Sequence, residues 1–136
     1  MPDGFEDYGS TSVDLNAPII LTSFSYKKGE VTYIPNGGRQ KIFDIRKTVR
    51  NPWQVENLRA LTGKDKRVQD FILSCPRTEA VIHQIYMFAV AGFTDIFIGC
   101  FGGKHRSVAI AELVAARLAA KGYTEVKVSH RDLREE

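Results

Sequence analysis

Cysteine is scarce: the 136-residue chain holds Cys75 and Cys100 and no others. Two thiols do not make a disulfide framework, which sets aside the small cross-linked secreted class and points to a reducing, cytoplasmic setting. Long apolar runs are missing as well. No stretch approaches the roughly 20 residues of a spanning helix, so no membrane partner is expected. The opening residues, MPDGFEDYGS, lack a basic cluster followed by an apolar stretch, so no secretory signal is expected. The three histidines, His83, His105 and His130, show no metal-ligand spacing with the two cysteines. Neither a metal nor a cofactor is expected. A nucleotide P-loop is also missing. That pattern needs a glycine where Ile98 stands and a Ser or Thr where His105 follows Gly103 and Lys104. No Rossmann fingerprint is present either.

What is there suits one domain with a real core, since 43% of the residues are hydrophobic. The net charge of +3 is unevenly spread. Residues 1–26 hold four acids and no Lys or Arg, whereas residues 27–67 hold eleven bases against four acids. A basic middle third can attract phosphates or RNA, although charge alone fits a solvated surface better.

Residues 1–17 are polar and read as a loose arm, followed by one domain over 18–136. PIILTSFSY (18–26) reads as a strand, VTYI (31–34) as a short edge strand or hairpin arm, and NGG (36–38) as a turn. QKIFDIR (40–46) is the next strand, with Asp44 and Arg46 at its carboxyl end. NPWQVENLRAL opens a helix with Asn51 as cap and Pro52 in the first position. A short helix follows a cap at Asp65, and a stronger one runs from Pro76 to a stop at Gly92. TDIFIGC reads as a buried strand, RSVAIAELVAARLAAKG as a helix closed by Lys121 and Gly122, and EVKVSH as a final strand. Strands alternating with helices predict an α/β domain with a mostly parallel sheet flanked by helices. Ligands in such sheets collect beyond the carboxyl ends of the strands.

One such end reads IGCFGGKHRSVAIAE, Ile98–Glu112. A loop feeding a helix N-terminus offers unpaired amides and a positive dipole end. Gly102 and Gly103 allow close approach of backbone to a ligand, Arg106 adds a planar fork for phosphate oxygens, Lys104 a point charge and Ser107 a hydroxyl. No acid occurs between Gly99 and Ala111. The pattern reads as a phosphate-binding strand–loop–helix. The spacing Cys100-x5-Arg106, followed by Ser107, is similar to the loop of Cys-dependent phosphatases, in which a thiolate attacks phosphorus. An inert core role for Cys100 is the plainer reading of that spacing alone. His105 suits acid–base work or donation to a ligand. His83 reads as structural, and His130 as able to reach the same face. Trp53 reads as covering the core, with stacking on a sugar or base as the alternative.

The loop also resembles the GCTGGxHRSV signature of the C-terminal domain of RapZ-type RNase adapter proteins. Further stretches are similar in order and spacing: SFSYKKG (Ser23–Gly29), FDIR (Phe43–Arg46), NPW (Asn51–Trp53), LRALTGKDKRV (Leu58–Val68) and VSHRDL (Val128–Leu133). Members of that family join this domain to an N-terminal P-loop kinase-like domain, and this chain is expected to be a stand-alone version. The resemblance implies binding of a phosphorylated metabolite of the glucosamine-6-phosphate kind, in a sensing or regulatory role rather than as an enzyme. In some members it also implies small RNA and presentation to an endoribonuclease. It implies a pocket lined by Cys100, Phe101, Gly102, Gly103, Lys104, His105, Arg106 and Ser107, approached by Asp44 and Arg46. There are departures. No His separates Pro52 from Trp53, Phe101 replaces a Thr, and Ser25 and Lys28 replace a Gly and a Tyr. The tail ends RDLREE rather than in a basic run, which counts against RNA. Cys-dependent phosphatase is the first alternative, and an RNA-binding or protein-interaction adapter the second. Self-association into a homo-oligomer stays open.

Overall fold

A computed structural model describes residues 13–35 and 37–134. Four strands, β1 (Ile19–Ser25), β2 (Gln40–Asp44), β3 (Asp95–Cys100) and β4 (Val126–His130), form one sheet in the order β2-β3-β1-β4. Every pairing is parallel. Parallel neighbours need crossovers. Helices α1 (Lys66–Leu73) and α2 (Pro76–Val90) carry the chain from β2 to β3, and α3 (Arg106–Ala120) carries it from β3 to β4. The expected α/β architecture is present, with a sheet that is parallel throughout.

The register decides which side chains meet the helices. Leu21 lies opposite Ile96 and Val128, and Ile98 lies between Phe43 and Ser23. These residues share one face, because side chains alternate along a strand. Helix α3 packs on β1, β3 and β4, and Phe43 meets Phe88 of α2 edge-on at 5.3 Å. Ile110, Val114 and Leu118 of α3 are fully buried with Leu21, Ile96 and Ile98. On the other face of the sheet Ile20 is exposed.

The helices begin and end where the residue types allow. Asp65 caps α1 by accepting from the Arg67 N–H, and Pro76 opens α2. Gly92 and Gly122 follow α2 and α3 with φ of 105° and 98°.

Two expected elements differ. Asn51 does cap the next turn, accepting from the Trp53 N–H at 3.1 Å. The continuous helix expected there is instead two 3-10 turns, Pro52–Gln54 and Glu56–Leu58. Val55 between them is extended, and Arg59 Nε donates to the Trp53 carbonyl at 2.9 Å. That carbonyl is therefore bonded to a side chain rather than to a helical amide. The stretch 31–34 is not a strand. Side chains, not a backbone ladder, tie it to β2: the Tyr33 hydroxyl accepts from the Ile42 N–H, and the Gln40 amide bonds both the N–H and the C=O of Ile34. Pro35, with no N–H, cannot extend a ladder.

Of the expected turn at 36–38, Asn36 lies outside the described residues; the Gly37 N–H donates to the Ile34 carbonyl at 3.0 Å. Of the expected arm 1–17, residues 1–12 lie outside the described residues. Leu15 accepts from the Thr124 N–H, and the Thr124 hydroxyl meets Asn16 Oδ1 at 2.7 Å.

Candidate functional site

The carboxyl ends of the two central strands build a cavity of about 350 Å³. Pairing of β1 with β3 continues past both strands: the Tyr26 N–H donates to the Cys100 carbonyl and the Lys27 N–H to that of Phe101. The chain after β1 is thereby laid beside the glycine loop, and Lys27 and Lys28 join the cavity wall. Ser25 fixes the crossing. Its hydroxyl donates to the Phe101 carbonyl at 2.7 Å, and its N–H donates to Asp132 at 2.8 Å. Gly103 has φ of 68° and lies so close to Ser25 that a Cβ would stand 2.7 Å from the Ser25 Cβ. Only glycine fits there.

Beneath the loop sits the Cys100 sulfur. It accepts from the Gly103 N–H at 3.2 Å and from the Ser107 N–H at 3.4 Å, and it bonds the Ser107 hydroxyl at 3.1 Å. Cys100 lines the floor of the cavity. Ser107 is fully buried below it and does not reach the lining. Phe101, Gly102, Gly103, Lys104, His105 and Arg106 of the loop line the cavity together with Asn51 and Trp53.

Each charged group has an identifiable hold. Lys104 Nζ donates to the Arg59 carbonyl at 3.0 Å. Arg106 is buried, and its Nη1 donates to the carbonyls of Arg46 and Val49. His105 is the N-cap residue of α3 but makes no side-chain cap. It is 5% exposed, and its Nε2 is buried without a hydrogen bond of ordinary geometry. Burial first, and then the Lys104 charge, lower the His105 pKa; the nearby carbonyls of Leu61, Arg59 and Leu58 oppose this without reversing it. The imidazole is neutral at physiological pH. Gly63 supports this corner. Its N–H donates to the Lys104 carbonyl, and its Cα presses on the backbone of His105 and Ala109 so closely that no side chain has room.

The lining holds four cations, Lys27, Lys28, Lys104 and Arg106, and no carboxylate among the described residues. A space edged by a helix N-terminus and four positive charges is chemically suited to an anion with several oxygens.

The other polar strand end is arranged differently. Arg46 Nε and Nη2 grip both carboxylate oxygens of Asp44 at 2.9 and 2.7 Å, and Arg46 also stacks on the Tyr26 ring at 3.8 Å. The Arg46 hydrogen bonds hold the Asp44 carboxyl below its ordinary pKa. Neither side chain lines the cavity. Arg46 reaches the site through its carbonyl, which Arg106 binds. His130 does not line the cavity either: it bridges Ser23 and Glu112 at 2.7 Å each. His83 packs beside Tyr86 on α2.

Lys27, Lys28, Asn51 and Trp53 are the lining residues that the loop motif alone does not reveal. Trp53, read from sequence as a core cover, is 52% exposed on the cavity rim. Its 3-10 turn is too short to roll the indole inward.

Among the described residues no group of His, Cys, Asp and Glu is arranged to hold a metal ion, and no helix is long and apolar enough to cross a membrane. Residues 17–134 match the family model of the RapZ C-terminal domain. A protein of Dinoroseobacter shibae named nucleotide-binding protein is 37% identical over 129 residues, covering 88% of this chain and 40% of its own. Proteins of the same name from Parafrankia sp. and Clostridioides difficile are 41% and 36% identical, and the alignments cover 42% and 45% of their lengths. The chain thus spans about two fifths of the length of these curated relatives.

Proposed function

This chain belongs to the RapZ C-terminal domain family, and we propose that it binds a small phosphorylated metabolite, a sugar phosphate, in a sensing or regulatory role. The observation that carries this reading is the cavity beyond β1 and β3, where four cations and a helix N-terminus edge a space whose lining, among the described residues, holds no carboxylate. The volume falls in the usual range for small-molecule sites, roughly 300–1,000 Å³. In this reading the loop and Lys104 receive the phosphate from one side, and Lys27 and Lys28 receive it from the other. Arg106 contributes its charge while its carbonyl bonds fix its place. The family resemblance suggests glucosamine 6-phosphate as the first ligand to try.

Titration calorimetry with inorganic phosphate, glucose 6-phosphate and glucosamine 6-phosphate tests the reading. Saturable binding of phosphate and at least one sugar phosphate, lost in Lys104→Ala, is expected. Absence of any saturable phosphate binding overturns it.

One observation favours a second reading. Amides of Gly103 and Ser107 point at the Cys100 sulfur, as a phosphatase nucleophile requires. Against turnover, no carboxylic acid among the described residues lines the cavity to protonate a leaving alcohol, and Asp44 is held by Arg46. Hydrolysis of an aryl phosphate that Cys100→Ser abolishes would establish the phosphatase reading.

A further inference from the structure

The four cations of the cavity come in two pairs, anchored on two sides of β3. Lys104 and Arg106 follow β3, and their heads are drawn to the connection after β2. Lys104 Nζ donates to the Arg59 carbonyl, and Arg106 Nη1 to the carbonyls of Arg46 and Val49. Lys27 and Lys28 belong to the chain after β1, where the Tyr26 and Lys27 N–H groups donate to the Cys100 and Phe101 carbonyls. In the sheet, β3 stands between β2 and β1. Neighbouring strands lie about 4.8 Å apart, so the two anchoring flanks are roughly 10 Å apart. A lone phosphate that takes the loop amides and Arg106 sits toward one of them.

The charges do not balance around one phosphate either. A phosphate monoester carries at most about two negative charges at neutral pH, against four cations in the lining and, among the described residues, no carboxylate. The carbonyls that hold Lys104 and Arg106 are neutral and cancel nothing. Lys104, Arg106 and the helix N-terminus already match a phosphate dianion, which leaves Lys27 and Lys28 over. Both are exposed, and neither makes an ion pair among the described residues. Asp132 stands near Lys28, but the Arg131 side chain and the Ser25 N–H engage it. A ligand with an ammonium group would add a fifth positive charge to this space, whereas a second anion relieves the repulsion.

We infer that the ligand carries a second anionic group, phosphate or carboxylate, at the end remote from the first: a sugar bisphosphate or a phosphorylated sugar acid. One phosphate lies on the loop at Lys104 and Arg106, and the second group lies at Lys27 and Lys28. This rests on the phosphate reading above and adds the second charge, which Lys27 and Lys28 take in place of a share in the first. Lys104 and Arg106 then set affinity for every phosphorylated ligand, and Lys27 and Lys28 select among them.

The test is calorimetry on the intact chain with matched probes: inorganic phosphate, glucose 6-phosphate, glucosamine 6-phosphate, glucose 1,6-bisphosphate and 6-phosphogluconate. At least one of the last two should bind about tenfold or more tightly than glucose 6-phosphate, the usual worth of a charged hydrogen bond. An advantage for the bisphosphate alone names a phosphate as the second group, and one for 6-phosphogluconate alone names a carboxylate. The advantage should shrink as salt is raised, because Lys27 and Lys28 are exposed. In the double variant Lys27→Gln, Lys28→Gln the affinity ratio to glucose 6-phosphate should fall toward one. In Lys104→Ala all phosphorylated probes should weaken together, with the ratio kept. If phosphate and glucose 6-phosphate bind and neither doubly anionic probe binds more tightly, the second-anion inference fails and the phosphate reading stands. Tightest binding of glucosamine 6-phosphate, or a ratio unchanged in the double variant, overturns it likewise. If no probe binds, both fail.

Discussion

Two polar clusters stand at the carboxyl edge of the same sheet, one after β2 and one after β3. Both mix acid or thiol with arginine, and in sequence both look like ligand sites. The Asp44–Arg46 cluster is closed on itself: two hydrogen bonds join its charges within three residues of chain. The Cys100–Arg106 loop has cations and no anion of its own. Its bases are fastened to backbone carbonyls, which satisfy their donors without cancelling their charge. A cation bonded to a neutral carbonyl still attracts an anion, whereas a cation paired with a carboxylate largely does not. The difference separates a site from a surface ion pair better than residue type does.

The strongest way to break the contrast is to deform the loop and leave the ion pair alone. A methyl at Gly63 would run into the backbone of His105 and Ala109. Gly63→Ala is expected to destabilise the protein by about 3 kcal/mol, the upper end for forcing a methyl into packed space. Urea unfolding measures it, and a midpoint equal to wild type would show that the corner yields.

Next in size is the effect of the anion itself. Phosphate at 100 times its dissociation constant should stabilise the fold by ~2.7 kcal/mol. Arg106→Ala should remove most of that increment, beyond whatever baseline stability it loses with its bonds to Arg46 and Val49. Melting with and without phosphate separates the two effects. An increment in the variant as large as in wild type removes Arg106 from the proposed site.

His105 sharpens the comparison through pH. Its folded pKa lies below an ordinary histidine's 6.5, chiefly through burial. Above that value neither folded nor unfolded chain holds the proton, and the group contributes no slope. As pH falls below about 6.5 the unfolded chain takes up a proton that the folded chain refuses. Stability is then lost at up to about 1.4 kcal/mol per pH unit, until the folded pKa is reached. His105→Gln should flatten this part of the curve. An equal slope between pH 6.5 and 5 in both proteins would assign it to other groups.

The periodicity and punctuation of the chain made most of the fold legible. Asp65, Pro76, Gly92 and Gly122 mark helix ends because their backbone preferences act locally. The glycine loop was visible for the same reason. What stayed hidden depends on non-local placement. Lys27 and Lys28 reach the cavity because β1 and β3, some seventy residues apart, are neighbours in the sheet. Alternation of strands and helices does not reveal that order. Trp53 was misread as core because a capped Pro–Trp start looks like a full helix, yet Val55 turns extended and ends the turn after three residues. The Asp44–Arg46 pair lies two residues apart and was available to local reasoning, but the Tyr26 ring against which Arg46 stacks comes from the end of β1 and was not.

The smallest expected effect comes from that pair, and it tests the contrast directly. Asp44 is half exposed, its carboxylate bonds Arg46, and it lies outside the cavity lining. If the pair only satisfies itself, Asp44→Asn frees the Arg46 charge near a proposed anion site. Phosphate should then bind slightly more tightly, within about twofold at physiological salt, because exposed charges are screened. The gain should vanish at high salt, and the unfolding midpoint should move less than in any variant above. If instead Asp44 contacts the sugar of a ligand, phosphate affinity should hold while sugar-phosphate affinity drops about tenfold or more, the usual worth of a charged hydrogen bond. A third outcome is a parallel loss for both ligands. It would mean that Asp44 acts through the Arg46 carbonyl on the seat of Arg106, and that the two clusters are one machine rather than two. Calorimetry with phosphate and ribose 5-phosphate at low and high salt, on wild type and Asp44→Asn, distinguishes the three. The closed geometry of the pair predicts the first.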